Sequence, residues 1–185
     1  MVPALLDAAT ELLEAEGPDA LSVRRIAAMA KVAPMGVYNH FESKFGIVDA
    51  LFRRGFEQLA AALEETGTVG DPYDALCQAG RSYRALAVAH PMVYRLMFMR
   101  SVPGYEPSEG ALHAATSAFD ALVAAVERAV SAGRLAEGPP ADTAQVIWAA
   151  IHGWVSLELL GIGVMDAPDV GYERMCITVL RGLAP

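Results

Sequence analysis

The chain has 185 residues, 54% of them hydrophobic and 19% charged, which excludes intrinsic disorder and allows a substantial core. The net charge of −8 excludes a uniformly basic nucleic-acid binder and turns attention to where the cations lie. The most apolar stretch, residues 144–164, is broken by Gln145, His152, Ser156 and Glu158, which excludes a membrane span.

Helices punctuated by Gly and Pro fill the sequence, with no run of strand-like alternation. The first spans 4–16, turns Leu5, Leu6, Ala9, Leu12 and Leu13 inward, and stops at Gly17-Pro18. Ser22 is a good N-cap for a second helix, in which Val23, Ile26, Ala27 and Ala30 share one face. Val32 returns the chain to the core, and Pro34 suits the first turn of a third helix. That helix is about two turns long. Val37 and Phe41 give it one buried edge, and Met35, Gly36, Tyr38, Asn39 and His40 form the other. A helix so short, with a small, polar and aromatic outer face, fits best as an element inserted into something. The second helix of a DNA-binding helix-turn-helix is placed that way in the major groove.

Ser43 caps a long fourth helix whose apolar side carries Ile47, Leu51, Phe52, Phe56, Leu59 and Leu63, and which ends before Gly67. Asp71-Pro72 caps a fifth that runs to His90, and Pro91 restarts a short sixth ending near Arg100. A loop over 101–108 carries Pro103, Gly104 and Pro107. The seventh, eighth and ninth helices are expected over 109–132, 141–160 and 168–181.

Leu21-Ser22, Ile26-Ala27, Ala30-Lys31-Val32, Tyr38-Asn39-His40-Phe41 and Lys44 stand at fixed spacing near the N-terminus. With them the segment resembles the tetracycline-repressor (TetR) family of bacterial transcription regulators, whose pattern runs Leu-Ser/Thr-x-x-x-Ile-Ala, Ala-Gly-Val, then Tyr-x-His-Phe-x-x-Lys. The departure is Lys31, at a turn position usually held by Gly because the backbone needs a positive φ. A lysine in that conformation costs about 1 kcal/mol and adds a cation near the groove.

The resemblance implies an all-α fold of about nine helices, with a helix-turn-helix DNA-binding domain over 1–46 and a helical effector-binding and dimerisation domain over 47–185. It implies a cytoplasmic homodimeric regulator, expected to be a repressor, that binds a palindromic double-stranded DNA operator and is released by a small, mostly apolar effector. The alternative is a helical interaction module with a degenerate head. Carried over position by position, Ser22, Tyr38, His40 and Lys44 fall where the family contacts phosphates. Arg24, Pro34, Met35, Gly36 and Asn39 fall where it meets base edges. Arg24 is the best candidate for guanine, because its forked guanidinium can bond O6 and N7 together. Arg25 and Lys31 complete the DNA-binding set.

The charge distribution agrees. Residues 22–54 carry Arg24, Arg25, Lys31, Lys44, Arg53 and Arg54 against Glu42 and Asp49, a net +4, whereas residues 1–21 carry five acids and no base. Residues 55–185 carry a net −7, which makes a strongly anionic effector unfavourable.

The eighth helix is apolar nearly all round, so it needs cover on several sides. A four-helix bundle from the last two helices of two subunits would supply it, with Trp154, Leu157, Leu160, Val179 and Leu183 across the interface and Gly153 allowing close approach. A core helix of a monomer is the alternative. For the effector, Tyr83, Tyr94, Met97, Phe98, Trp148 and His152 could line an apolar cavity, although each taken alone also suits plain core.

An enzyme is not expected. The four histidines stand apart from Cys, Asp and Glu at metal-ligand spacing, no nucleophile–base triad is suggested, and no Gly-rich phosphate loop occurs, so neither metal nor cofactor is implied. Cys77 and Cys176 are expected to be reduced, buried thiols.

Overall fold

The computed structural model describes residues 1–66 and 70–185. The described residues form nine α-helices and no strand: α1 Val2–Glu16, α2 Val23–Met29, α3 Pro34–Tyr38, α4 Lys44–Thr66, α5 Pro72–Ala89, α6 Pro91–Phe98, α7 Glu109–Ser131, α8 Pro140–Leu159 and α9 Pro168–Gly182. A short 3-10 turn, Pro18–Ala20, follows α1. The expected stop of α4 at Gly67 lies outside the described residues.

Local chemistry sets these boundaries. The Ser22 hydroxyl accepts the Arg25 amide at 3.3 Å and that of Ser43 accepts the Gly46 amide at 3.2 Å, each closing one open donor at a helix start. The Asp71 carboxylate accepts the Tyr73 amide at 2.8 Å, which holds its pKa below the ordinary carboxylate range. Three helices end alike, through a left-handed residue that lets two successive amides turn back onto the last carbonyls. After α7 that residue is Gly133 (φ 67°) and after α8 it is Gly161 (φ 69°), whereas after α2 it is Lys31 (φ 56°). At α2 the Lys31 amide bonds the Ala28 carbonyl and the Val32 amide bonds the Ala27 carbonyl, at 3.2 and 2.9 Å.

The chain folds as two compact units, each discontinuous in sequence. The first takes Met1–Glu57 and His90–Ala115. Its core holds Leu5, Leu13, Ile26, Val37, Ile47, Leu51 and Tyr94, all nearly inaccessible to water. The division expected at 46/47 therefore differs from the division by packing, because polar groups on α1 and α4 reach residues 90–115. The Glu14 carboxylate on α1 accepts the amides of Met92 and Val93 at 3.0 to 3.1 Å, closing the start of α6, which has no side-chain cap of its own. Asp49 on α4 accepts the Tyr105 hydroxyl at 2.9 Å and the Ser108 amide and hydroxyl at 2.8 and 2.7 Å.

The second unit takes Gln58–Ala89 and Thr116–Pro185. Leu76, Cys77, Leu122, Val126, Leu135, Ile147 and Leu180 make its main apolar cluster, contributed largely by α5, α7, α8 and α9. The backbone of α9 comes close to α8 at Gly171, where a Cβ would stand 2.6 Å from the Trp154 ring. Nothing within 4 Å faces Gly153, so within one chain the close approach is made at Gly171. Both thiols are free and buried; burial pushes Cys77 up and Cys176 up to about 11.

Candidate nucleic-acid interface and effector region

In the first unit, α2 turns its Val23, Ile26 and Ala27 inward, and the left-handed turn at Lys31 redirects the chain into α3. Pro34 opens α3 without wasting an amide donor. Val37 is fully buried and Phe41 nearly so, and the Phe41 amide bonds the Val37 carbonyl at 2.8 Å just past the helix. This anchored edge leaves the other side of α3 in solvent: Met35 is 67% and Tyr38 51% exposed, and Pro34, Asn39 and His40 are exposed with them. Gly36 is half-buried, its would-be Cβ 3.9 Å from Val32. Arg24 and Lys31 are exposed and Lys44 half-buried. Ser22 uses a lone pair as a cap, so its hydroxyl proton is not spent in that bond. A short helix exposing mixed polar, apolar and aromatic groups beside exposed cations suits insertion into a groove flanked by phosphates.

Arg25 differs from the others in the set. Its guanidinium is bonded through both terminal nitrogens to Glu16, Nη1–Oε2 at 2.9 Å and Nη2–Oε1 at 2.5 Å. The pair holds Glu16 below the ordinary carboxylate range and raises Arg25 further. Arg54 is bonded to Asp7 at 2.6 Å, and Arg53 faces Glu57 at 3.5 Å. Sequence reasoning counted Asp7 and Glu16 with residues 1–21 and Glu57 with residues 55–185, apart from the cations they pair with. A nine-residue separation across a helix stop carries no periodic signal that would have paired Glu16 with Arg25.

The six residues expected to line an effector cavity divide between the units. Tyr94, Met97 and Phe98 belong to the first. There the Tyr94 ring lies 4.9 Å from Phe98, the Phe98 ring 5.2 Å from Phe56, and Met97 packs on Gly55, where an added Cβ would force the Met97 thioether to shift. Tyr83, Trp148 and His152 come together in the second. The Tyr83 hydroxyl and His152 Nδ1 are 2.9 Å apart, and the Trp148 ring lies 5.6 Å from His152 and 6.0 Å from Phe119. Burial holds His152 below the ordinary imidazole value. Beside this group, Arg84 makes a forked pair with Glu158 at 2.8 and 2.6 Å, half-buried and stacked on the Tyr172 ring.

The residues expected at a subunit interface also separate into kinds. Leu157 and Leu160 are 51% and 55% exposed, Trp154 is half-buried against Tyr172, and Val179 and Leu183 are half-buried against the unit's own core. Val146, Ile162, Val164, Met165 and Val170 are exposed apolar residues too, which sequence reasoning did not select. Ile162, Val164 and Met165 lie in the α8–α9 connection, where there is no helical period to mark a face. No helix among the described residues is long and apolar enough to cross a membrane, and none of their His, Cys, Asp and Glu side chains group to hold a metal ion.

Two family models match the chain. Residues 5–51 match that of bacterial regulatory proteins of the tetR family, and residues 76–179 match the tetracyclin repressor-like C-terminal domain. An HTH-type transcriptional regulator of Mycobacterium tuberculosis is 27% identical over 179 residues, covering 97% of this chain and 79% of that protein. Among solved structures, a protein of unknown function from Rhodococcus sp. RHA1 is 29% identical with a TM-score of 0.85, over 99% of this chain and 95% of that one. The transcriptional regulator FadR from Bacillus subtilis, in complex with stearoyl-CoA, has a TM-score of 0.80 at 18% identity, over 99% of this chain and all of that one (100%).

Proposed function

The chain belongs to the TetR family of transcriptional regulators, with a DNA-binding helix-turn-helix, and from that premise we propose that it is a repressor that binds a palindromic operator as a homodimer and is released by a small, mostly apolar effector. The observation that carries the reading is the exposed side of α3, held between a left-handed turn and a buried Val37–Phe41 edge. Arg24, Pro34, Met35, Gly36 and Asn39 read base edges in this proposal, and Ser22, Tyr38, His40 and Lys44 hold phosphates. One α3 is too small for specific affinity at physiological salt, and two joined heads reading half-sites about one helical turn apart are enough. The apolar face around Leu157 and Leu160 supports the dimer.

Regulation follows from the second unit. Tyr83, Trp148 and His152 offer an aromatic wall with one uncharged polar pair, which suits an apolar ligand bearing a hydrogen-bonding group. Such a ligand changes DNA affinity only through its unequal affinity for two head spacings. The link is α4, which starts in the first unit and ends in the second.

A gel-shift series on DNA upstream of the neighbouring genes tests the head. Arg24→Ala is expected to relax the preference at one base pair per half-site at a cost of about 1–3 kcal/mol, and Lys44→Ala to weaken all sequences alike. Equal, sequence-independent losses from both variants would refute the division of roles.

A further inference from the structure

Half of the head's cations are already engaged by acids of the same chain. Arg25 pairs with Glu16, Arg54 with Asp7 and Arg53 with Glu57, whereas Arg24, Lys31 and Lys44 make no ion pair among the described residues. Of the three pairs, only Arg25–Glu16 places its cation on α2 and draws its acid from α1. The Glu16 carboxylate takes both terminal nitrogens of the fork. A phosphate presents two oxygens to a guanidinium in the same planar manner, so the two acceptors compete for one site. Both side chains are about half exposed, 45% and 50%, so a phosphate reaches Arg25 without disturbing the core.

We propose that Glu16 stands in for a DNA phosphate at Arg25 and thereby lowers the head's affinity for the DNA backbone. On binding, Arg25 exchanges one anion for another. The counterion that leaves the phosphate is offset by the cation that the uncovered Glu16 gathers, so Arg25 adds almost nothing to the salt dependence. Because backbone attraction is the sequence-independent share of binding, the acid on α1 trims that share and leaves base-edge contacts from α2 and α3 untouched. Glu16 is then a determinant of specificity that never touches DNA. This rests on DNA binding by the helix-turn-helix.

The test is fluorescence anisotropy of a short random-sequence duplex titrated with the full-length protein over a series of NaCl concentrations. Glu16→Gln keeps the side-chain shape and is expected to bind roughly three- to tenfold tighter at low salt, with the slope of log K against log salt steeper by about 0.9 per head. In the double variant Glu16→Gln/Arg25→Gln the gain and the extra slope should both disappear. A Glu16→Gln protein that retains its helical circular dichroism but binds the duplex with wild-type affinity and slope overturns the proposal. Weaker binding overturns it too, by showing that Glu16 instead positions Arg25 for contact. Wild type and variant that both ignore the duplex at the lowest salt would sink the DNA-binding reading itself.

Discussion

Lys31 occupies a conformation that the ends of α7 and α8 give to glycine. Gly133 and Gly161 end α7 and α8 with the same paired amide bonds that Lys31 makes at the end of α2. Lys31→Gly should therefore stabilise the protein by up to about 1 kcal/mol, and Gly133→Lys should cost a similar amount. Urea denaturation of the two variants checks both signs, and a Lys31→Gly protein less stable than wild type would contradict the argument. That need for a positive φ was legible in the sequence from the TetR-like spacing around Lys31. His152 makes a second prediction at this scale. Burial lowers its folded value below the ordinary 6.5, so as pH falls through 6.5 the unfolded chain takes up a proton that the folded chain refuses. Stability is thus full above 6.5 and declines below it, down to the folded value. His152→Gln should flatten this decline as pH falls from about 6.5, the ordinary imidazole value, towards the lower folded value. Identical slopes in the two proteins would show that the decline comes from other groups.

At the level of elements, helix placement was readable because its causes are local: Ser22, Ser43 and Asp71 act on amides two or three residues away. What was not readable acts at long range. Glu14 lies on the polar side of α1, and nothing in its neighbourhood says that it closes a helix 78 residues later. The consequence is measurable. Glu14→Ala leaves two amides at the start of α6 without their acceptor and is expected to cost about 1–2 kcal/mol. Hydrogen exchange should speed up at Met92 and Val93 while α8 keeps its protection. Unchanged exchange at those two amides would mean that water replaces the carboxylate at no cost.

For the whole molecule, the apolar surface was legible only in part. Leu157 and Leu160 were singled out from a helix apolar all round, and they are exposed. Val179 and Leu183 looked equivalent in sequence, yet they pack on the unit's own cluster, since periodicity marks an apolar face without saying what covers it. The aromatic candidates split for the same reason, with Tyr94 and Phe98 packed into the first unit and Trp148 and His152 joined in the second. For the dimer, sedimentation at micromolar concentration is expected to give about twice the chain mass of 19.6 kDa. Leu157→Lys/Leu160→Lys should shift the protein to monomer with its helical content intact. A wild-type protein that sediments as a monomer would remove the interface from the account.

The grouping of residues 90–115 with the head bears on how interchangeable such heads are. A hybrid regulator made by grafting residues 1–46 onto another body would carry Glu14 to a foreign α6 and leave Asp49, Tyr105 and Ser108 behind. The transplant that keeps these partners together takes two separate stretches of chain, Met1–Glu57 and His90–Ala115. A specificity swap that moves the head of this protein therefore has to move α1 and α6 together.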